Sequence, residues 1–114
     1  MTDSALTFVG ALTFSTLSKH PVLNKLSQNQ EWAQHVELGL WADLMIVSPA
    51  TAHTISKFAH GLADNLLSAV YLSAKCPIMI APAMDLDMWE HPSTQSNIEK
   101  LKSCGIVIHL PFVS

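Results

Sequence analysis

The residues of this chain best equipped for chemistry stand together where it reads Pro82-Ala83-Met84-Asp85-Leu86-Asp87-Met88-Trp89. Aspartates, methionines and a tryptophan bring anionic charge and apolar contact into one short segment, a mixture that a plain turn does not need. His35 lies in the run Glu31 to Asp43. An imidazole titrates near neutral pH and can serve as a general base. A solitary histidine also commonly packs against or caps a short helix, and both readings stand at this point. Thr51 follows Ser48-Pro49-Ala50. Its hydroxyl can cap a helix whose first backbone N–H groups face the end of the preceding strand. A metal site is not expected. His53 and His60 are two helical turns apart, and no pair of histidines or cysteines has HxxxH or CxxC spacing within one element.

The elements that position these groups alternate between short apolar runs and helical periodicity. Ile78 to Ala81 lies between prolines and reads as a buried strand that stops at Pro82. Leu44 to Val47, ended by Ser48-Pro49, reads as a central parallel strand buried on both faces. Thr51 then caps a helix that runs to His60 and stops at Gly61. Ala63 to Leu67 opens another helix, with Leu66, Leu67, Val70, Tyr71 and Ala74 on one stripe and Asp64 near its start, where it suits the helix dipole. Upstream, Phe8 to Leu17 reads as a helix with one broad buried face, broken by Ser18 to Pro21. Asn24 to Gln30 is the most loop-like stretch. Glu31 to Asp43 carries the anchors Trp32, Val36, Leu38, Leu40 and Trp41, with Gly39 weakening the helix. Downstream, a helix starts at Pro92-Ser93 and ends at Gly105, and Ile106 to Leu110 is a last strand. This order predicts an α/β fold, a Rossmann-like or flavodoxin-like parallel sheet with flanking helices, in which strand-end loops hold the ligand.

At 114 residues the chain makes one domain at most. Apolar residues are 49% of it and charged residues 13%, an excess that predicts subunit contacts. The net charge is −3, and all six basic residues are lysines. No basic field attracts nucleic acid. Cys76 and Cys104 form no CxxC pair, which suits free thiols in a reducing cytoplasm. Neither a signal peptide nor a run of roughly 18 apolar residues is present, so no membrane partner is expected.

The block from Pro82 to Trp89 resembles the PxMNxxMW signature of the homo-oligomeric flavin-containing cysteine decarboxylases, with Asp85 in the asparagine's place. His35-Val36-Glu37-Leu38 and Pro49-Ala50-Thr51-Ala52 resemble two further blocks of that family in the same order and spacing, and Gly61 to Leu67 resembles a segment that packs beside the flavin. The resemblance covers nearly the whole chain and points to the branch that decarboxylates phosphopantothenoylcysteine in coenzyme A biosynthesis. It implies a carboxy-lyase that uses FMN and shares its sites across a homotrimer interface. His35 and Asp85 would be catalytic. Ser4, Pro49, Ala50, Thr51, Ala52, His53 and Met84 would hold FMN, and Ala83, Met84, Asp85 and Met88 would line the substrate. Relatives often carry asparagine where His53 stands. In the family a first strand and a phosphate-binding turn precede the part matching Met1 to Ala5, and a cysteine-bearing lid follows the part matching Ser114. A single partial domain over residues 1–114 is therefore expected. A non-catalytic flavin-binding or assembly module of the same fold, or a relative acting on a peptidyl cysteine or a prenyl substrate, are the alternatives.

An α-carboxylate on a saturated carbon does not leave as carbon dioxide without an electron sink. The resemblance implies that FMN oxidises the cysteine side chain to a thioaldehyde, which accepts those electrons, while the protein manages position and protons. The family's asparagine holds the substrate carboxylate. An ionised Asp85 about 4 Å from that group costs roughly 4 kcal/mol at an effective dielectric of 20. The expected resolution is a proton shared by the pair. A hydrogen bond from Asp85 to the backbone of its own loop is the simpler alternative.

Overall fold

The computed structural model describes residues 1–24 and 31–114. Its sheet is assembled on one strand, Ile78–Met84, numbered β2. In chain order the elements are α1 (Asp3–Leu6), α2 (Ala11–Ser18), α3 (Glu31–Trp41), β1 (Met45–Ala50), α4 (Ala52–His60), α5 (Leu66–Ser73), β2, α6 (Leu86–Glu90), α7 (Pro92–Ser103), β3 (Val107–Ile108) and β4 (Phe112–Val113). All pairings are parallel, with order β1-β2-β3 and β4 on the far part of β2. The α/β class expected from the alternation is therefore the class observed. The polar stretch from 25 to 30 and the anchor expected of Trp32 lie outside the described residues and side chains.

The core lies on one face of this sheet. Met45 pairs with Ile78, and Val47 with Ile80, which in turn pairs with Ile108. These residues share a face because side chains alternate along a strand. Val47, Ile78 and Ile80 pack with Ile55 and Phe58 of α4 and Ile98 and Leu101 of α7. The other face carries Ile46, Met79 and Val107, with Ile46 58% and Val107 51% exposed. The first strand is thus buried on one face rather than two, since the helices of the core all cover the same side.

Two strands run further than their prolines suggested. β1 continues through Ser48 and a cis Pro49 to Ala50, with a register shift between Val47 and Ala50. It is the edge strand of the described sheet, where a missing N–H is tolerated. β2 continues through Pro82 to Met84. β3 and β4 pair it successively, at Met79–Ile80 and at Ala83–Met84, so Pro82 falls between the two ladders. The expected strand from Ile106 to Leu110 is only Val107–Ile108, and Phe112–Val113 beyond Pro111 is an additional strand.

The helix ends follow local chemistry. Thr51 caps α4 by accepting the Thr54 N–H at 3.2 Å, and Gly61 ends it in the left-handed region at φ 68°. Asn65 caps α5 in a capping box with Ser68. Asp64 stands before that cap and serves another partner. The N-terminal helix differs most from expectation. Of the span expected from Phe8 to Leu17 only the part from Ala11 is helical, as α2 with Gly10 at its N-cap, α1 lies before it, and Phe8, Leu12 and Leu17 are largely exposed. Its apolar positions find no partner face among the described residues of a single chain.

Candidate active site

Parallel strands carry their ligand sites at their C-terminal ends, and the register fixes which residues meet there. Ala50, the last residue of β1, pairs with Pro82 of β2. Pro49-Ala50-Thr51-Ala52 and Pro82-Ala83-Met84-Asp85 therefore emerge side by side from adjacent strands. Ala50 is fully buried, Ala52, Ala83 and Met84 are half-buried, and Pro49, Thr51, His53, Asp85 and Met88 are exposed. Small side chains line the strand ends and polar groups rim them.

Thr51 is held from both sides of its own turn. Its carbonyl accepts the Ile55 N–H at 3.0 Å, and its hydroxyl takes the Thr54 N–H. The N–H groups of Ala52 and His53 precede the first ladder bond of α4 and stay available as donors. Such donors, beside the alanines at positions 50, 52 and 83, fit the polar edge of a flat ring system.

What was expected as a loop from Pro82 to Trp89 is a strand end joined to a helical turn by Asp85. The Oδ1 atom of Asp85 accepts the Met88 N–H at 2.8 Å and caps α6. Ser114 brackets this joint. Its N–H donates to the Met84 carbonyl at 3.4 Å, and its carbonyl accepts the Leu86 N–H at 3.0 Å. Trp89 packs against the core, and its carbonyl accepts from the Gln95 amide at 2.6 Å. A cavity of about 340 Å³ between α6 and the start of α7 is lined by Asp87, Met88, His91 and Thr94. A second, apolar cavity of about 370 Å³ involves Met1, Leu23, Leu38, Met45 and Leu67. Because Met45 begins β1, that cavity lies at the opposite end of the strand from Ala50.

The structure groups Pro49 to His53 with Ala83 to Met88 and carries His35 on α3 and Ser4 on α1. His35 is buried on α3, four residues before the buried Gly39. Residues spaced by four share a helix face, and Gly39 meets α5: a Cβ there would lie 2.7 Å from the Ser73 carbonyl oxygen. The glycine is therefore a packing requirement, beyond weakening the helix. Ser4 is exposed on α1, and its carbonyl accepts from the Thr7 side chain. Its segment begins at Met1 and Thr2, beside Met45.

Lys57 was absent from the sequence reading. Its side chain is 7% exposed, with Nζ 2.6 Å from Oδ1 of Asp64. The bond and the charge of Lys57 hold the Asp64 carboxyl below its ordinary range. The opposite charges flanking the Gly61 turn were the available signal. Phe58 and Tyr71 stack with ring centroids 4.0 Å apart and planes 3° from parallel, joining α4 to α5. Burial pushes the Tyr71 phenol above its ordinary value. Among the described residues no group of three His, Cys, Asp or Glu side chains could hold a metal ion, and no helix is long and apolar enough to cross a membrane.

A parallel α/β sheet with small residues and helix-start donors at adjoining strand ends is the arrangement in which proteins of this class hold nucleotide cofactors. The comparisons make that class specific. The family model described as Flavoprotein matches residues 1–114, and the chain belongs to that family of FMN-binding proteins. It is 56% identical over 96 residues to a cysteine/cysteine sulfinic acid decarboxylase from an unknown prokaryotic organism, covering 82% of this chain and 27% of that protein. It is 46% identical over 110 residues to the coenzyme A biosynthesis bifunctional protein CoaBC of Mycobacterium tuberculosis, covering 96% of this chain and 26% of that protein. The crystal structure of the FMN-dependent cysteine decarboxylase SpaF superposes with a TM-score of 0.86 at 39% identity, covering 95% of this chain and 62% of that one. The chain thus spans less than two thirds of each of these relatives.

Proposed function

We propose that this chain forms the strand-end part of an FMN-dependent decarboxylase that acts on a cysteine-type α-carboxylate. The observation that carries the proposal is the pairing of Ala50 with Pro82, which sets the Thr51 cap beside the Met84–Asp85 joint. Bound FMN supplies the oxidising capacity that turns the cysteine side chain into an electron sink. The half-buried Ala52 and Ala83 would leave room for its ring, with Ala50 buried in the core beside them, and the Ala52 and His53 N–H groups would donate to its polar edge. Pro49 and Thr51 shape that turn, and Met84 and Met88 provide apolar contact to ring and substrate. Ser4 belongs to the same cofactor assignment, carried by the resemblance alone. His35 is assigned as the base that removes the thiol proton.

The relatives support two substrates. The 46% identity to a coenzyme A biosynthesis protein supports phosphopantothenoylcysteine, whose cysteine nitrogen is acylated. The 56% identity to a cysteine/cysteine sulfinic acid decarboxylase supports cysteine, whose nitrogen is a free ammonium. Assembly into a homotrimer agrees with the exposure of Phe8, Leu12, Leu17, Leu40 and Trp41. It also offers a route for the buried, α3-borne His35 to serve a site built on other elements. A non-catalytic flavin-binding module of the same fold is the competing reading.

The test is release of labelled carbon dioxide from carboxyl-labelled cysteine and phosphopantothenoylcysteine by the full-length, FMN-loaded protein. Turnover of either substrate supports the decarboxylase. FMN bound without any carbon dioxide release supports the non-catalytic module.

A further inference from the structure

Asp85 brings a negative charge to the rim of a site whose proposed substrate is itself an anion. Neither of the two ion pairs formed among the described residues involves it. Asp87 and Glu90 follow within the same helical turn, and no lysine occurs between Lys75 and Lys100. The local field is therefore negative, and it favours a ligand that presents a cation. The joint is also rigid. Ser114 bonds to the residues on either side of Asp85, and the Met88 N–H fixes Oδ1. The residue is exposed, so a substrate cation can reach the second carboxylate oxygen without burying an ion pair.

We propose that Asp85 selects cysteine-type substrates that carry a free α-ammonium group over those whose nitrogen is acylated. This rests on the decarboxylase reading above and deepens it. The ammonium sits on the carbon that bears the departing carboxylate, so one cation answers both the Asp85 charge and the substrate's own. An N-acylated cysteine offers only a neutral amide there, and its carboxylate meets the repulsion uncompensated. A cation supplied by the substrate takes the place of the shared proton.

Asp85→Asn separates charge from structure, because asparagine caps a helix as well as aspartate does. In the full-length, FMN-loaded protein, kcat/KM is measured for L-cysteine, N-acetyl-L-cysteine and phosphopantothenoylcysteine, with flavin absorbance and circular dichroism confirming an intact holoprotein. The parent is expected to favour L-cysteine. Asp85→Asn is expected to lower kcat/KM for L-cysteine by about two- to fivefold, as loss of an exposed ion pair does, and to leave the acylated substrates unchanged or improved. A parent that favours an acylated cysteine, or a variant that keeps the parent's preference, overturns the inference and leaves the decarboxylase reading standing. A flavin-loaded parent that turns over none of the three overturns both.

Discussion

The Nζ of Lys57 lies 2.6 Å from Oδ1 of Asp64, joining a lysine that is 7% exposed to an aspartate that is 66% exposed. The pair closes the Gly61 turn between α4 and α5, so the buried ammonium keeps a counter-charge at the protein surface. The Lys57 bond holds the Asp64 carboxyl below its ordinary value of 3.8. A depressed folded-state pKa contributes stability that is complete above the unfolded value and is lost as pH falls through the lowered one. Asp64→Asn is therefore expected to destabilise the protein near neutral pH, with the gap to the parent closing below about pH 3.8. Urea midpoints of both proteins across the acid range check this.

Gly39→Ala sets two effects against each other. Alanine improves the helix by up to about 1 kcal/mol, but its Cβ would stand 2.7 Å from the Ser73 carbonyl oxygen and 2.8 Å from its carbon. Backbone cannot rotate away, and overpacking of this kind costs about 1–3 kcal/mol. A net loss of stability is expected in chemical denaturation, with α3 displaced from α5.

Thr51→Ala removes the cap on α4 and is expected to cost about 1 kcal/mol, while Thr51→Ser restores most of it. Because the same turn aims the Ala52 and His53 N–H groups, Thr51→Ala is also expected to weaken FMN binding. Paired stability and flavin titrations of the two variants check both effects.

His35→Gln distinguishes a base from a packing residue. A base removed from the reaction lowers kcat by about 10²–10⁴ while the flavin stays bound. A purely structural histidine, buried on the α5-facing side of α3, would instead lower stability with little change in turnover by the folded fraction. Stopped assays on the flavin-loaded full-length variant, alongside its unfolding curve, separate the two.

Much of the site was legible because it is written in local chemistry. The Thr51 cap, the Gly61 stop and the apolar run at Ile78 each depend on a few adjacent residues. Pro82 misled because its cost depends on neighbours: between two ladders a proline removes no needed donor, and sequence does not show where β3 gives way to β4. Asp64 was read for its own helix, whereas its partner Lys57 lies across a turn. α2 was expected to bury a face, yet periodicity reports only that a face is apolar and leaves open what covers it. The family blocks assign Asp85 to a substrate, and the simpler alternative, a bond to the backbone of its own loop, is present as the cap on the Met88 N–H, with both flanks of the residue held by Ser114.

FMN titration tests the central claim, that the adjoining ends of β1 and β2 hold the cofactor. Flavin fluorescence is followed on adding the full-length apoprotein, the parent beside Ala52→Leu, at a half-buried alanine of the strand-end turn, and Lys102→Gln at an exposed position. Saturable quenching by the parent and the Lys102 variant, lost in Ala52→Leu while its circular dichroism is unchanged, is the predicted result. Equal quenching by all three proteins, or none by the parent, would contradict the account.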